Sequence, residues 1–134
     1  MTHVNKQNQR RILVLDDDAY RHRTYAKLYD GDEVIHTWTY SEFAVSFVNG
    51  SPWDIVHLDH DLGDLVTTPD TWVDGWGHRR LRTGRDAAGV ITAVPDDKLP
   101  RKVIVHSVNP VGARAIVSDL KARGIPVSWE PFRA

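Results

Sequence analysis

The stretch Ile12-Leu13-Val14-Leu15-Asp16-Asp17-Asp18 decides how the rest of the chain reads. Four consecutive apolar residues show neither helical spacing nor alternation, the pattern of a strand covered on both faces in a parallel sheet. The three aspartates then stand at its carboxyl end. Two later stretches repeat the plan: Ile55-Val56-His57-Leu58 runs into Asp59-His60-Asp61, and Val103-Ile104-Val105 runs into His106-Ser107-Val108-Asn109. Val34-Ile35-His36-Thr37-Trp38 alternates and reads as an edge strand, and Pro126-Val127-Ser128-Trp129 as a short last one.

Helical spacing fills the gaps. Asp18 caps a helix with Arg21, Tyr25 and Leu28 on one face, and Ser41 caps a second carrying Ala44, Phe47 and Val48. Asp86 caps a third with Ala87, Val90, Ile91 and Val94 inward. Asn109-Pro110, a cap followed by proline, opens a fourth that buries Ala113, Ile116, Val117 and Leu120 and ends at Gly124 before Pro126. The alternation of strand and helix predicts an α/β fold, a parallel sheet with helices on both faces. Residues 63–84 break the pattern with a long loop. At its centre Thr71-Trp72-Val73-Asp74-Gly75-Trp76-Gly77 predicts a small hairpin about an Asp-Gly turn. Arg79, Arg80, Arg82 and Arg85 follow, either as a solvated face or as a lid over an anion, with Trp72 or Trp76 placed to stack on a base.

Composition narrows the classes. The 134 residues suit one domain, assigned to 11–134 behind a flexible tail at 1–10. With 41% apolar and 26% charged residues the chain is globular rather than disordered. The absence of cysteine excludes disulfides, thiolate zinc sites and a thiol nucleophile. A net charge of −1 argues against generic DNA binding. No apolar run reaches membrane-spanning length and the start is polar, so a cytoplasmic protein without a membrane partner is expected.

In an open parallel sheet ligands bind beyond the carboxyl ends of the strands. All the polar clusters fall there. Asp16, Asp17, Asp59 and Asp61 would repel one another unless a cation neutralised them, and carboxylates of this kind suit a hard divalent ion, Mg²⁺ or Mn²⁺. His60 and His106 are the imidazoles on that rim, suited to acid–base work on one phosphate. Ser107, Asn109 and the helix start behind them offer hydroxyl and N–H donors to an anion, with Arg85 nearby. Mid-strand His57 reads as structural, and His3, His22, His36 and His78 carry no positional argument.

At these residues the chain resembles the receiver domains of response regulators. The likeness spans roughly residues 11–132: an acidic pair at Asp16 and Asp17, an acceptor position at Asp59, and Ser107 ending the fourth core strand. It implies a flavodoxin-like five-stranded parallel sheet of order 2-1-3-4-5, here with the final helix missing. Where receivers carry lysine before proline, this chain has Glu130 before Pro131. These departures are similar to a narrower group, the cyclic-phosphate processing receiver-like domains, through Leu15-Asp-Asp17, Leu58-Asp-His-Asp-Leu-Gly63, Thr83-Gly84-x-Asp86 and His106-Ser-x-Asn-Pro-x-Gly112. The resemblance implies a metal-dependent hydrolase acting on a cyclic nucleotide or an RNA cyclic-phosphate end. Asp16, Asp17 and Asp59 would then be acidic or metal-binding, and His60, Asp61, His106, Ser107 and Asn109 would line the phosphate. Two other readings share the residues: a degenerate receiver that binds a nucleotide or protein without chemistry, and a working phosphoreceiver. The Asp16-Asp17-Asp18 run also resembles the first motif of haloacid-dehalogenase-type phosphatases. Their later motifs require the opposite order of the acidic cluster and Ser107.

Overall fold

The computed structural model describes residues 9–62 and 71–131. Its order is β1 (Arg11–Leu15), α1 (Ala19–Leu28), β2 (Glu33–Thr37), α2 (Tyr40–Gly50), β3 (Ile55–Leu58), β4 (Thr71–Val73), β5 (Arg79–Leu81), α3 (Gly84–Thr92), β6 (Lys102–Val105), α4 (Pro110–Ala122) and β7 (Val127–Trp129). The large sheet is parallel, ordered β2-β1-β3-β6-β7, which is 2-1-3-4-5 once the β4–β5 hairpin is set aside. That is the expected flavodoxin-like arrangement. Among the described residues no helix follows β7 and none is long and apolar enough to cross a membrane.

Strand alternation divides the core. Leu13, Leu15, Val56, Leu58, Val103 and Val105 face α2, α3 and α4, where Phe43, Phe47, Ile91, Ile116 and Leu120 close the larger cluster. Ile12 and Val14 face α1 and pack with Tyr25 and Tyr29. The second set carries polar neighbours: His57 and, just past the strand ends, Asp59 and His106 are buried.

Three details of the helices differ from the sequence reading. In α1 the buried residues are His22 and Tyr25, with Tyr29 just beyond, while Leu28 is 65% exposed. The stripe 22-25-29 meets the sheet, and Arg21 turns instead toward the strand ends. Thr39 rather than Ser41 caps α2, in a capping box with Glu42, so Phe43 and Phe47 point inward and Val48 outward. Thr83 caps α3, with Asp86 as the reciprocal partner of its capping box.

The hairpin in the long connection is present: Thr71 pairs with Leu81, Trp72 with Arg80 and Val73 with Arg79. Asp74 closes the turn, accepting from the N–H groups of Trp76 and His78. The remainder of that loop, 63–70, lies outside the described residues. So do residues 1–8 of the expected tail; Arg10 is tied to Asp32 by its main chain and guanidinium and rests over Tyr29.

Candidate metal and phosphate site

Because β1 and β3 are neighbours in register, Leu15 beside Leu58, the residues that follow them meet. One oxygen from each of Asp16, Asp17 and Asp59 falls within a 4.8 Å cluster. Asp16 and Asp59 are buried and Asp17 is exposed, so the cluster opens on one side. Arg21 is the cation that the structure sets among them. Its Nη2 lies 3.3 Å from Asp59 and 3.7 Å from Asp17, and its Nε lies 3.0–3.1 Å from both oxygens of Asp16. The Nε hydrogen points to Asp16 Oδ1, which also accepts from the Asp18 N–H. Asp16 Oδ2 is buried and receives no hydrogen bond.

This leaves a shortage of positive charge. Burial raises the Asp59 carboxyl to about 7, the neighbouring Asp16 charge adds to the rise, and Arg21 opposes it. Asp16 is likewise raised by burial. Three carboxylates with one guanidinium among them, one buried carboxylate oxygen receiving no hydrogen bond, form an oxygen donor set that a hard divalent cation fits. Arg21 was missed as a site residue. Its signal was the i, i+4 spacing from Asp17, which puts it in the first turn of α1, just beyond the aspartate run.

Asp61 does not join the cluster; its side chain is 61% exposed and accepts from His60 Nδ1 at 2.8 Å. That bond leaves His60 Nε2 turned away from Asp61. The ring lies against the first turn of α4, where a Cβ on Gly112 would come within 2.6 Å of Nε2 and 2.5 Å of Cγ. Gly112 is therefore glycine to seat this imidazole. Gly84 has a similar role on the main chain: a Cβ there would lie 2.9 Å from the Asp59 carbonyl carbon and the His60 Cα. Gly84 N–H donates to the His60 carbonyl at 2.9 Å, locking α3 onto the Asp59–His60 turn. Gly112→Ala is expected to push the ring aside while the fold holds. His60 ring resonances should shift, with a melting temperature within about 5 °C of wild type.

His106 is placed elsewhere, and the expected pair of histidines facing one phosphate is not formed. Both of its ring nitrogens are engaged on the α1 side of the sheet. Nδ1 lies 2.7 Å from the Glu130 carbonyl oxygen, and Nε2 lies 2.6 Å from His57 Nδ1, with the two rings stacked. His57 Nε2 lies 2.5 Å from the Tyr29 hydroxyl. The carbonyl can only accept, so His106 carries its hydrogen on Nδ1. Burial lowers the pKa of both histidines, that of His57 to about 3 with help from His106, and both rings are neutral at pH 7. The direction of the whole chain follows: Tyr29 donates to His57, His57 to His106, and His106 to Glu130. At the receiver lysine position, Glu130 thus contributes a main-chain acceptor.

The remaining expected residues divide similarly. Ser107 is fully buried and its Oγ accepts from the Asn109 N–H, while Asn109 Oδ1 caps α4 by accepting from Gly112. Both therefore stand at the start of α4 beside His60. Arg85 turns away from the acidic cluster and pairs with Asp119 of α4 at 3.0 Å. His22, passed over in the sequence, is buried and donates from Nε2 to the Asp16 carbonyl, bracing the turn that carries the cluster.

Known structures share this scaffold. A CheY-like receiver domain from Methylobacillus flagellatus superposes with a TM-score of 0.63 at 13% identity, covering 95% of this chain and 89% of that one. A signal receiver domain from Vibrio parahaemolyticus gives 0.60 at 16% identity, covering 93% and 81%. These likenesses establish the fold. In sequence, the chain is 27% identical over 100 residues to a very long-chain fatty acid transport protein of Cochliobolus heterostrophus; the match takes in 72% of this chain and 14% of that protein's length. The family model for the cyclic-phosphate processing receiver domain matches residues 11–122, from β1 through α4, and so takes in the acidic cluster, His60, Ser107 and both glycines that seat the site. This chain belongs to the cyclic-phosphate processing receiver domains.

Proposed function

We propose that the chain is a metal-dependent hydrolase that opens a cyclic phosphate of a nucleotide or an RNA end. The observation that carries this reading is the carboxylate cluster, whose two buried acids are raised above their ordinary pKa by burial and by the neighbouring carboxylates. Asp16, Asp17 and Asp59 would hold a divalent ion, Mg²⁺ or Mn²⁺. When bound, such an ion supplies Lewis-acid stabilisation of charge on phosphoryl oxygens. Arg21 keeps Asp16 and Asp59 in place and adds a fixed positive charge. His60 is the imidazole left at the rim: its Nδ1–H is fixed by Asp61, so Nε2 is the atom that takes a proton from water or passes one to the leaving oxygen. The Ser107 hydroxyl and the Asn109 amide, beside the α4 N-terminus, hold phosphoryl oxygens.

A second reading has its own observation. The withdrawal of His106 into the His57 chain leaves only His60 of the expected pair at the rim, an arrangement that suits a module binding a nucleotide without cleaving it. One experiment separates the two. The protein is incubated with 2′,3′-cyclic mononucleotides, 3′,5′-cyclic mononucleotides, cyclic dinucleotides and an RNA ending in a cyclic phosphate, each with Mn²⁺, Mg²⁺ or chelator. Phosphorus NMR should show a cyclic resonance converted to a monoester or linear diester only with metal. Metal and nucleotide binding without conversion of any of them would favour the binding module.

A further inference from the structure

Residues of the β4–β5 hairpin and of the outer face of α3 line one groove of about 670 Å³, a size that suits a small organic ligand. One wall is a stack: the Arg82 guanidinium stands 5.4 Å from the Tyr40 ring centre and 5.3 Å from that of Trp72. Trp72 is 38% exposed. A cation held against aromatic rings presents a flat, rigid platform. Arg80 and Arg85 bring two more guanidinium groups to the same groove.

Each arginine has a carboxylate partner: Arg80 with Asp74, Arg82 with Asp86, and Arg85 with Asp119. These pairs reach solvent, where water screens the attraction and leaves it weak, so a phosphate can compete for the guanidinium. The floor is Gly89, in the middle of α3, where an added Cβ would meet nothing within 4 Å. A mid-helix glycine destabilises the helix relative to alanine, and here neither packing nor a positive φ requires it. What glycine does provide is open space in the groove.

The groove also has a direction. Thr83 lines its upper end, and the next residue, Gly84, is the one packed on the Asp59–His60 turn. A ligand with its phosphate at that turn can therefore extend down the outer face of α3.

We propose that this groove receives the base of the nucleotide whose cyclic phosphate is presented at Asp59 and His60, stacking it on the Trp72–Arg82 wall above Gly89. Arg80 and Arg85 take a further phosphate when the nucleotide ends an RNA strand. The inference rests on the cyclic-phosphate reading for the position of the phosphate, but it concerns recognition of the base, which is measured by binding and not by turnover.

The test is a calorimetric titration of the full chain with Mg²⁺ present and three probes: adenosine 2′,3′-cyclic phosphate, 1-O-methylribose 2′,3′-cyclic phosphate, which lacks the base, and a short RNA ending in a cyclic phosphate. Wild type should bind adenosine 2′,3′-cyclic phosphate at least about tenfold more tightly than the base-less probe. Trp72→Ala and Gly89→Phe should each abolish that preference and leave the base-less affinity within twofold. Gly89→Ala, too small to fill the groove, should bind as wild type and melt at a higher temperature, which separates filling from misfolding. Arg80→Gln should weaken the RNA and leave the mononucleotide unchanged.

Equal affinity of wild type for the probes with and without the base overturns the proposal, as does full retention of the preference in Gly89→Phe. Failure to bind any probe overturns it as well. Turnover of both small probes at equal efficiency would retain the hydrolase and remove the base site. Base-dependent binding without turnover would retain the base site and remove the hydrolase.

Discussion

Asp59→Asn is expected to change activity and stability in opposite directions. Removing a carboxylate from the cluster should lower metal-dependent turnover by on the order of 10²–10⁴-fold, since both charge for the cation and its placement are lost. The same substitution should make the metal-free protein more stable at pH 8. Burial beside Asp16 raises Asp59 to about 7 from its ordinary 3.8, so the folded state holds a proton that the unfolded chain has already released. The stability associated with that carboxyl is complete below about pH 4 and is lost as the pH rises through about 7. Asparagine has no such loss. The stability difference between variant and wild type should therefore open between pH 4 and pH 7, reaching about 4 kcal/mol at pH 8. Urea unfolding at a series of pH values in chelator would show it. Saturating Mg²⁺ should reverse the order, because only the wild type gains binding free energy. A constant difference across the pH range would mean that the Asp59 carboxyl is ionised like an ordinary surface acid.

His106→Ala and His60→Ala should fail in different ways. His106 completes a buried chain of three side chains, and its loss opens a cavity, removes the acceptor of the His57 Nδ1–H and frees the Glu130 carbonyl. A destabilisation of roughly 3–5 kcal/mol is expected, with a fall in melting temperature of more than 10 °C. His60 rests at the rim and bonds only to exposed Asp61 among the described residues, so His60→Ala should melt within about 5 °C of wild type and lose turnover by roughly 10²–10⁴-fold. The buried chain also predicts acid sensitivity. The folded pKa of His57, about 3, lies below its ordinary 6.5, so its contribution is complete above about 6.5 and is lost as the pH falls toward 3. His106→Ala with unchanged melting and abolished turnover would return that residue to the reacting centre.

Much of this architecture was readable from the chain because each apolar run ended in a polar cluster. Ile12 to Leu15, Ile55 to Leu58 and Val103 to Val105 gave the strands, and the aspartates marked the rim. The sequence reading went wrong over side-chain direction at that rim. Successive residues of a strand face opposite sides, and a strand end says which rim a residue reaches but not which face. Counting on from Leu58 and Val105, which face α2, α3 and α4, puts Asp59 and His106 on the α1 side and returns His60 to the other. The two histidines are separated by that parity. Helix faces were misread for a related reason. In α1 the apolar Leu28 looked inward, yet the sheet it covers carries His57 and His106, and tyrosines suit that lining better than leucine. Caps were misassigned where a reciprocal box competed with a simpler serine or aspartate, as at Thr39–Glu42 and Thr83–Asp86.

The account depends on Asp16, Asp17 and Asp59 acting as one cation site, and a calorimetric titration of the full chain with Mn²⁺ at pH 8 tests that most directly. The expected result is one ion per chain, with binding abolished in Asp59→Asn and strongly weakened in Asp17→Asn. Undiminished Mn²⁺ binding in Asp59→Asn, or no binding by the wild type at millimolar metal, would contradict it.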